Sequence, residues 1–148
     1  MSRGQDPLDR KPLIALADRA AQVLGADLIR ESQARGHRLR LAHNAVFGHL
    51  PLEGGRVSDI AARAGITKQS MGEVVRELVE LGLLEMTPDP SDRRAKLVTY
   101  TERGRAVALD GKRYLADLER RFAQEFGEQK YAHAREVLEK VIESFTPE

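Results

Sequence analysis

The chain has 148 residues, no cysteine, and 24 Lys and Arg against 23 Asp and Glu, a net charge of +1 at pH 7. That length allows one domain with a real core, or a small reader plus an assembly element. The missing cysteines exclude disulfides and thiol-based sensing by this chain. With no signal peptide and no long apolar run, a soluble cytoplasmic protein without a membrane partner is expected.

Residues 1–10 are polar with Gly and Pro and predict a flexible arm. Helical periodicity begins at Pro12, a residue suited to a first turn. Leu13, Leu16, Ala17, Ala20, Val23, Leu24 and Leu28 form a stripe that runs to about Gln33, and Gly36 breaks it. Leu39, Ala42, Ala45, Val46 and Leu50 predict a second helix stopped by Pro51. His43 and His49 fall on different faces of that helix. With His37 and His133 they include no i,i+4 pair of the kind a helical zinc site uses. No nucleophile elbow, phosphate loop or paired-carboxylate pattern occurs, so no catalytic residue, metal or cofactor is predicted.

The stretch from Ser58 to Lys96 is the most informative. Ser58 is a good N-cap, and Asp59 adds negative charge at the positive end of the helix dipole. Ile60, Ala61 and Ala64 give a small apolar face over about two turns. Gly65 ends the helix, Ile66 is expected to plug the turn, and Thr67 can cap the next helix. The pattern reads as a helix-turn-helix or as an ordinary helical hairpin in an all-α core.

From Lys68 to Leu81 the chain is amphipathic. Met71, Val74, Val75, Leu78 and Leu81 make one stripe; Lys68, Gln69, Gly72, Glu73, Arg76 and Glu80 lie opposite. A glycine in the middle of a polar face costs about 1 kcal/mol against Ala. Gly72 is either a tolerated defect or a place where DNA approaches closely. Gln69 can pair bidentately with adenine, and Lys68 can reach guanine or phosphate. Ser70 suits either role, and Arg76 suits a phosphate. Glu73 can accept from cytosine or orient Arg76, while Glu77 and Glu80 read as ordinary solvated charges.

Gly82 closes the helix. Leu83 to Thr87 and Leu97 to Tyr100 read as paired strands. Pro88 and Pro90 lack the N–H of a ladder, so Pro88 to Lys96 is expected as a projecting loop, not a tight turn. Arg93, Arg94 and Lys96 crowd its end. An arginine there suits a narrow, A·T-rich minor groove. Asp92 fits as the acceptor that holds the loop or aims Arg94. Beyond the strands, Thr101 can cap a long helix carrying Val107, Leu115, Leu118, Phe122 and Phe126. After Gly127, a last helix carries Tyr131, Ala134, Leu138, Val141, Ile142 and Phe145. The helices at the two chain ends pack either within one subunit or across a dimer.

The run Asp89-Pro90-Ser91-Asp92-Arg93-Arg94-Ala95-Lys96, followed by Thr101-Glu102-Arg103-Gly104-Arg105, resembles the wing and next helix start of MarR-type winged-helix transcription regulators. The likeness extends from Leu39 to Arg105. It implies a mainly α fold with a small β-hairpin wing (α+β). Residues 1–10 would be the arm, 11–36 an N-terminal dimerisation helix, 37–100 the winged helix-turn-helix, and 101–148 C-terminal dimerisation helices. It also implies DNA contacts by Lys68, Gln69, Ser70 and Arg76 on the helix, with Asp92, Arg93, Arg94 and Lys96 on the wing; the reading of the residues adds Thr67, Gly72 and Glu73 to the expected DNA-binding surface. Arg94 would enter the minor groove, Asp92 would place it, and Arg93 and Lys96 would touch backbone.

The resemblance further implies a homodimer on double-stranded palindromic DNA, more a repressor than an activator. A small aromatic or anionic effector would release it, with His37, Arg40 and His43 near the expected cleft; these three read equally as polar helix surface. Because the overall charge is nearly balanced, binding is expected to depend on two-fold avidity. Two other readings stand beside this one: a winged helix that binds protein without a specific DNA target, and a histidine-based metal-responsive regulator.

Overall fold

The structure, a computed structural model, describes residues 7–146. It is mainly helical with one small antiparallel sheet, the class expected. The helices are α1 (Leu13–Ala34), α2 (Asn44–Phe47), α3 (Val57–Ala64), α4 (Lys68–Glu80), α5 (Glu102–Phe126) and α6 (Glu128–Phe145). The strands are β1 (Gly55–Arg56), β2 (Leu84–Asp89) and β3 (Asp92–Tyr100), in spatial order β1-β3-β2. No helix among the described residues is long and apolar enough to cross a membrane.

The chain forms two compact units, divided after Ala108. In the first, the apolar stripe of α4 (Met71, Val74, Val75 and Leu78) is buried together with Ile60 and Ala61 of α3, Val46 of α2, and Leu84 and Val98 of the sheet. Each of the Met, Val, Ile and Leu side chains contributes roughly 1.5–3 kcal/mol by leaving water. Gly65 ends α3 at φ 67, and the N–H groups of Gly65 and Ile66 donate back to Ala62 and Ala61. That left-handed closure lets α4 start at once, capped by the Thr67 hydroxyl, which accepts from Ser70 N–H at 3.0 Å. Tyr100 closes the sheet end: its hydroxyl donates to the Leu50 carbonyl at 3.1 Å, and burial pushes its pKa up to about 12.

Helix α5 begins under a double bond from Thr101. The Thr101 hydroxyl donates to the Gly82 carbonyl at 2.7 Å and accepts from Gly104 N–H at 3.0 Å. In the second unit, from Leu109 on, α6 has no buried residue, and Leu138, Val141, Ile142 and Phe145 all stand exposed. On α1 of the first unit, Leu13, Ile14, Leu16 and Val23 are likewise exposed.

Several expectations are corrected. Helix α3 starts at Val57 with Arg56 as N-cap, so Ser58 is inside the first turn and caps nothing. Ile66 is 37% exposed and acts in the turn through its backbone more than as a plug. The helix expected from Leu39 to Leu50 is a 3-10 turn at Leu41–His43 followed by the short α2, so His49 lies outside it. The arm expected at 1–10 is in part a 3-10 turn, Pro7–Asp9; residues 1–6 of it lie outside the described residues.

The wing is also tighter than expected. Its strands run to Asp89 and from Asp92, leaving Pro90-Ser91 as a two-residue connection. β2 is an edge strand, where a residue without N–H is tolerated, so Pro88 pairs with Lys96 in register. The next register pair is Asp89 with Asp92, and Arg93, Arg94 and Ala95 therefore have no β2 partner. The short strand β1, which pairs Gly55 with Val98 and Arg56 with Leu97, has no counterpart in the sequence-based expectation.

Candidate nucleic-acid interface

The polar face of α4 and the wing face each other across an open cleft of about 440 Å³. Its lining includes Lys68, Gln69, Gly72 and Arg76 from α4, Arg94, Ala95 and Lys96 from the wing, and Arg56, Val57 and Ser58 from the start of α3. Five of these residues are cationic and none is acidic. A chain of almost balanced charge thus concentrates positive potential in one concave place, which favours a polyanion.

Lys68, Gln69, Ser70, Glu73 and Arg76 are all exposed on α4. The Thr67 hydroxyl donates to Ser70 Oγ at 2.9 Å, so these two residues finish the helix start, and neither lines the cleft. Among the described residues no hydrogen bond joins Glu73 to Arg76. A Cβ at Gly72 would meet only Arg76 Nη1, at an ordinary 3.9 Å. Nothing among the described residues therefore requires glycine at that position.

On the wing, Asp92 Oδ1 accepts from the Arg94 backbone N–H at 3.0 Å. Arg93, Arg94 and Lys96 are exposed. The turn end of the wing holds a group that sequence reasoning missed. Asp89 is buried and takes hydrogen bonds from Ser91 N–H, from the Ser91 hydroxyl, and from Arg56 Nε. The two Ser91 bonds first, and then Arg56, hold its carboxyl below the usual aspartate range. Arg56 and Asp89 are 33 positions apart, so no local pattern announces the pair.

Arg40 and His43 stand elsewhere and are already occupied. Arg40 Nε and Nη2 donate to the two Glu77 oxygens at 2.8 and 2.6 Å. His43 is 2% exposed; its Nδ1 accepts from Arg40 N–H at 3.0 Å, so the ring proton lies on Nε2, 3.0 Å from Glu77 Oε2. Glu77 is thus no free solvated charge, as had been expected. Hydrogen bonds from Arg40, then from His43, hold its pKa down at about 2. The network ties the segment before α2 to the back of α4. His37 is half-buried just after Gly36. Among the described residues no group of three or more His, Asp or Glu side chains is placed to hold a metal ion.

Helix, turn, helix and wing, in this order and with this register, make the chain a winged helix-turn-helix protein, and its likenesses are to MarR proteins. The family model for MarR proteins matches residues 54–95, from the start of the sheet through the wing arginines. The HTH-type transcriptional regulator TcaR of Staphylococcus aureus is 24% identical over 121 residues, 80% of each chain. A MarR transcriptional regulator from Methanosarcina mazei Go1 superposes with a TM-score of 0.73 at 20% identity, over 88% of this chain and 91% of that one. CouR, a transcriptional repressor of Rhodococcus jostii RHA1, was solved on a 23-mer DNA duplex (TM-score 0.69, 22% identity, 88% and 92% covered). It was also solved with p-coumaroyl-CoA (0.69, 21%, 98% and 100%). These likenesses establish the fold.

Proposed function

We propose that this chain is a sequence-specific transcription regulator that binds palindromic double-stranded DNA as a homodimer and represses. The cleft carries the proposal: Gln69 and Lys68 on one wall and Arg94 on the other, over a floor without carboxylates. A helix of this kind fits the major groove, where Gln69 can pair with adenine. A guanidinium on a hairpin fits the adjacent minor groove. Arg76, Arg93 and Lys96 are spare cations for phosphates, which set register without reading sequence. The exposed apolar faces of α1 and of α6 favour assembly over a monomer, since patches of that kind mark association surfaces. Two subunits would present their α4 helices about 34 Å apart, one duplex turn.

Release by a small molecule is the second part of the reading. CouR is bound to p-coumaroyl-CoA in one structure and to a DNA duplex in another. Here an effector anion at Arg40 and His43 would have to displace Glu77, a residue of α4 itself. Differential binding to the displaced state would couple the effector to the reading helix.

In vitro selection from a randomised duplex library, followed by binding at several salt concentrations, tests the DNA reading. An enriched inverted repeat is expected, with affinity falling linearly in log–log against salt by several powers. No enrichment, or binding indifferent to salt, would favour the alternative of a protein-interaction module.

A further inference from the structure

The cationic part of the wing is not held by its own ladder, because Arg93, Arg94 and Ala95 lie in the register shift without β2 partners. What fixes that end of the hairpin is the side-chain cluster beside its turn. Asp89 is 5% exposed and is the one buried carboxylate among the described residues. Its Oδ1 accepts from Ser91 N–H at 2.9 Å and from the Ser91 hydroxyl at 2.8 Å. Its Oδ2 accepts from Arg56 Nε at 2.6 Å, and Arg56 Nη2 lies 2.6 Å from the same oxygen. That Nη2 also donates to Ser91 Oγ at 3.0 Å. Arg56 itself ends β1, sits opposite Leu97 of β3, and immediately precedes α3, which packs on α4. One guanidinium therefore clamps the turn of the wing to the start of the helix pair that carries the reading face.

We propose that Arg56 is a positioning residue for the wing: through Asp89 and Ser91 it fixes where Arg94 stands relative to α4, so that both can engage a duplex at once. The inference rests on the DNA-reading proposal above. Lysine cannot replace Arg56, because one ammonium cannot present the paired planar N–H groups this geometry uses. Stripped of the guanidinium, the buried carboxylate would turn toward water and take the Pro90-Ser91 turn with it.

Asp89 discriminates this idea from simple charge. Removing an anion beside a polyanion should tighten DNA binding by electrostatics alone. Removing the clamp should weaken it, and only through the wing. The experiment uses the full chain and a duplex recovered by in vitro selection, prepared with A·T or with G·C flanks where the wing would lie, and reads affinity by fluorescence anisotropy. Asp89→Asn, Arg56→Gln and Arg56→Lys are each expected to bind the A·T-flanked duplex about tenfold more weakly than wild type. The loss should be small on the G·C-flanked duplex and absent in an Arg94→Ala background, where the wing contributes nothing to lose. Circular dichroism and sedimentation should match wild type.

Asp89→Asn binding as tightly as wild type or more so would overturn the proposal. So would an equal loss on both duplexes, or a full additional loss on top of Arg94→Ala. If Asp89→Asn does not fold, Ser91→Ala takes its place, with the same pattern at about threefold. A selection that enriches no sequence overturns the DNA reading and this inference together. Enrichment followed by undiminished binding of Asp89→Asn overturns only the clamp.

Discussion

Gly104 shows how closely the start of α5 is seated. A Cβ there would lie 1.7 Å from the Leu83 carbonyl oxygen and 2.6 Å from its carbon, whereas real Cβ atoms essentially never come within 3.0 Å of a neighbour. Both obstructing atoms are backbone, so no rotamer change relieves the clash. Gly104→Ala must push the first turn of α5 away by at least the 1.3 Å that separates 1.7 from 3.0 Å. That displacement breaks the Thr101 N–H bond to the Leu83 carbonyl (3.1 Å) and strains the Thr101 hydroxyl bond to the Gly82 carbonyl (2.7 Å). Overpacking costs about 1–3 kcal/mol and each lost hydrogen bond about 1 kcal/mol, so the variant should lose about 3 kcal/mol. For a chain of this size that is a fall of about 10 °C in Tm. Thermal unfolding followed by circular dichroism, at one protein concentration because assembly shifts the midpoint, measures it. A Gly104→Ala midpoint within about 1 °C of wild type would refute this seating of α5 on Leu83.

Arg94→Ala should weaken binding to an A·T-flanked selected duplex by about 1–3 kcal/mol, while Gln69→Ala should relax base preference at one position per half-site; competition binding against single-base variants reads both. Glu77 has a folded pKa of about 2 against an ordinary 4.5, so its stabilising contribution is complete above pH 4.5 and is lost as the pH falls toward 2. Acid unfolding should therefore be less steep over that window in Glu77→Gln than in wild type, and identical profiles would remove Glu77 from the account. Ile142, 65% exposed on α6, belongs to the proposed assembly face. Ile142→Glu should shift sedimentation toward the monomer and lower operator affinity by the loss of avidity; unchanged sedimentation would place the dimer contact elsewhere.

Much of the fold was legible because it is written in local chemistry. The stripe Met71, Val74, Val75 and Leu78 has helical period and is buried as a unit. Gly65 and Thr67 end one helix and cap the next with bonds that span only three to five residues. The wing was legible in charge and placement but not in shape. Two prolines argue against a ladder only if the strand is internal, and strand order is a property of the sheet. The 3-10 turn and short α2 carry the same apolar spacing as a longer helix, so periodicity alone could not set their ends. Glu77, on a polar helix face, looked solvated, because its partner Arg40 is 37 positions away. Arg56 escaped for the same reason: its role depends on a carboxylate brought to it by the fold. Two-residue β1 is too short for any alternation to register. Patterns of a few residues were readable, and pairings made by topology were not.

The central claim is that α4 and the wing occupy neighbouring grooves of one duplex. Dimethyl sulfate probes both at once, since it methylates guanine N7 in the major groove and adenine N3 in the minor groove. On a selected operator, interference is expected at guanines in the middle of each half-site and at adenines flanking it, and Arg94→Ala should abolish only the adenine signal. Adenine interference that survives Arg94→Ala, or interference confined to one groove, would contradict the account.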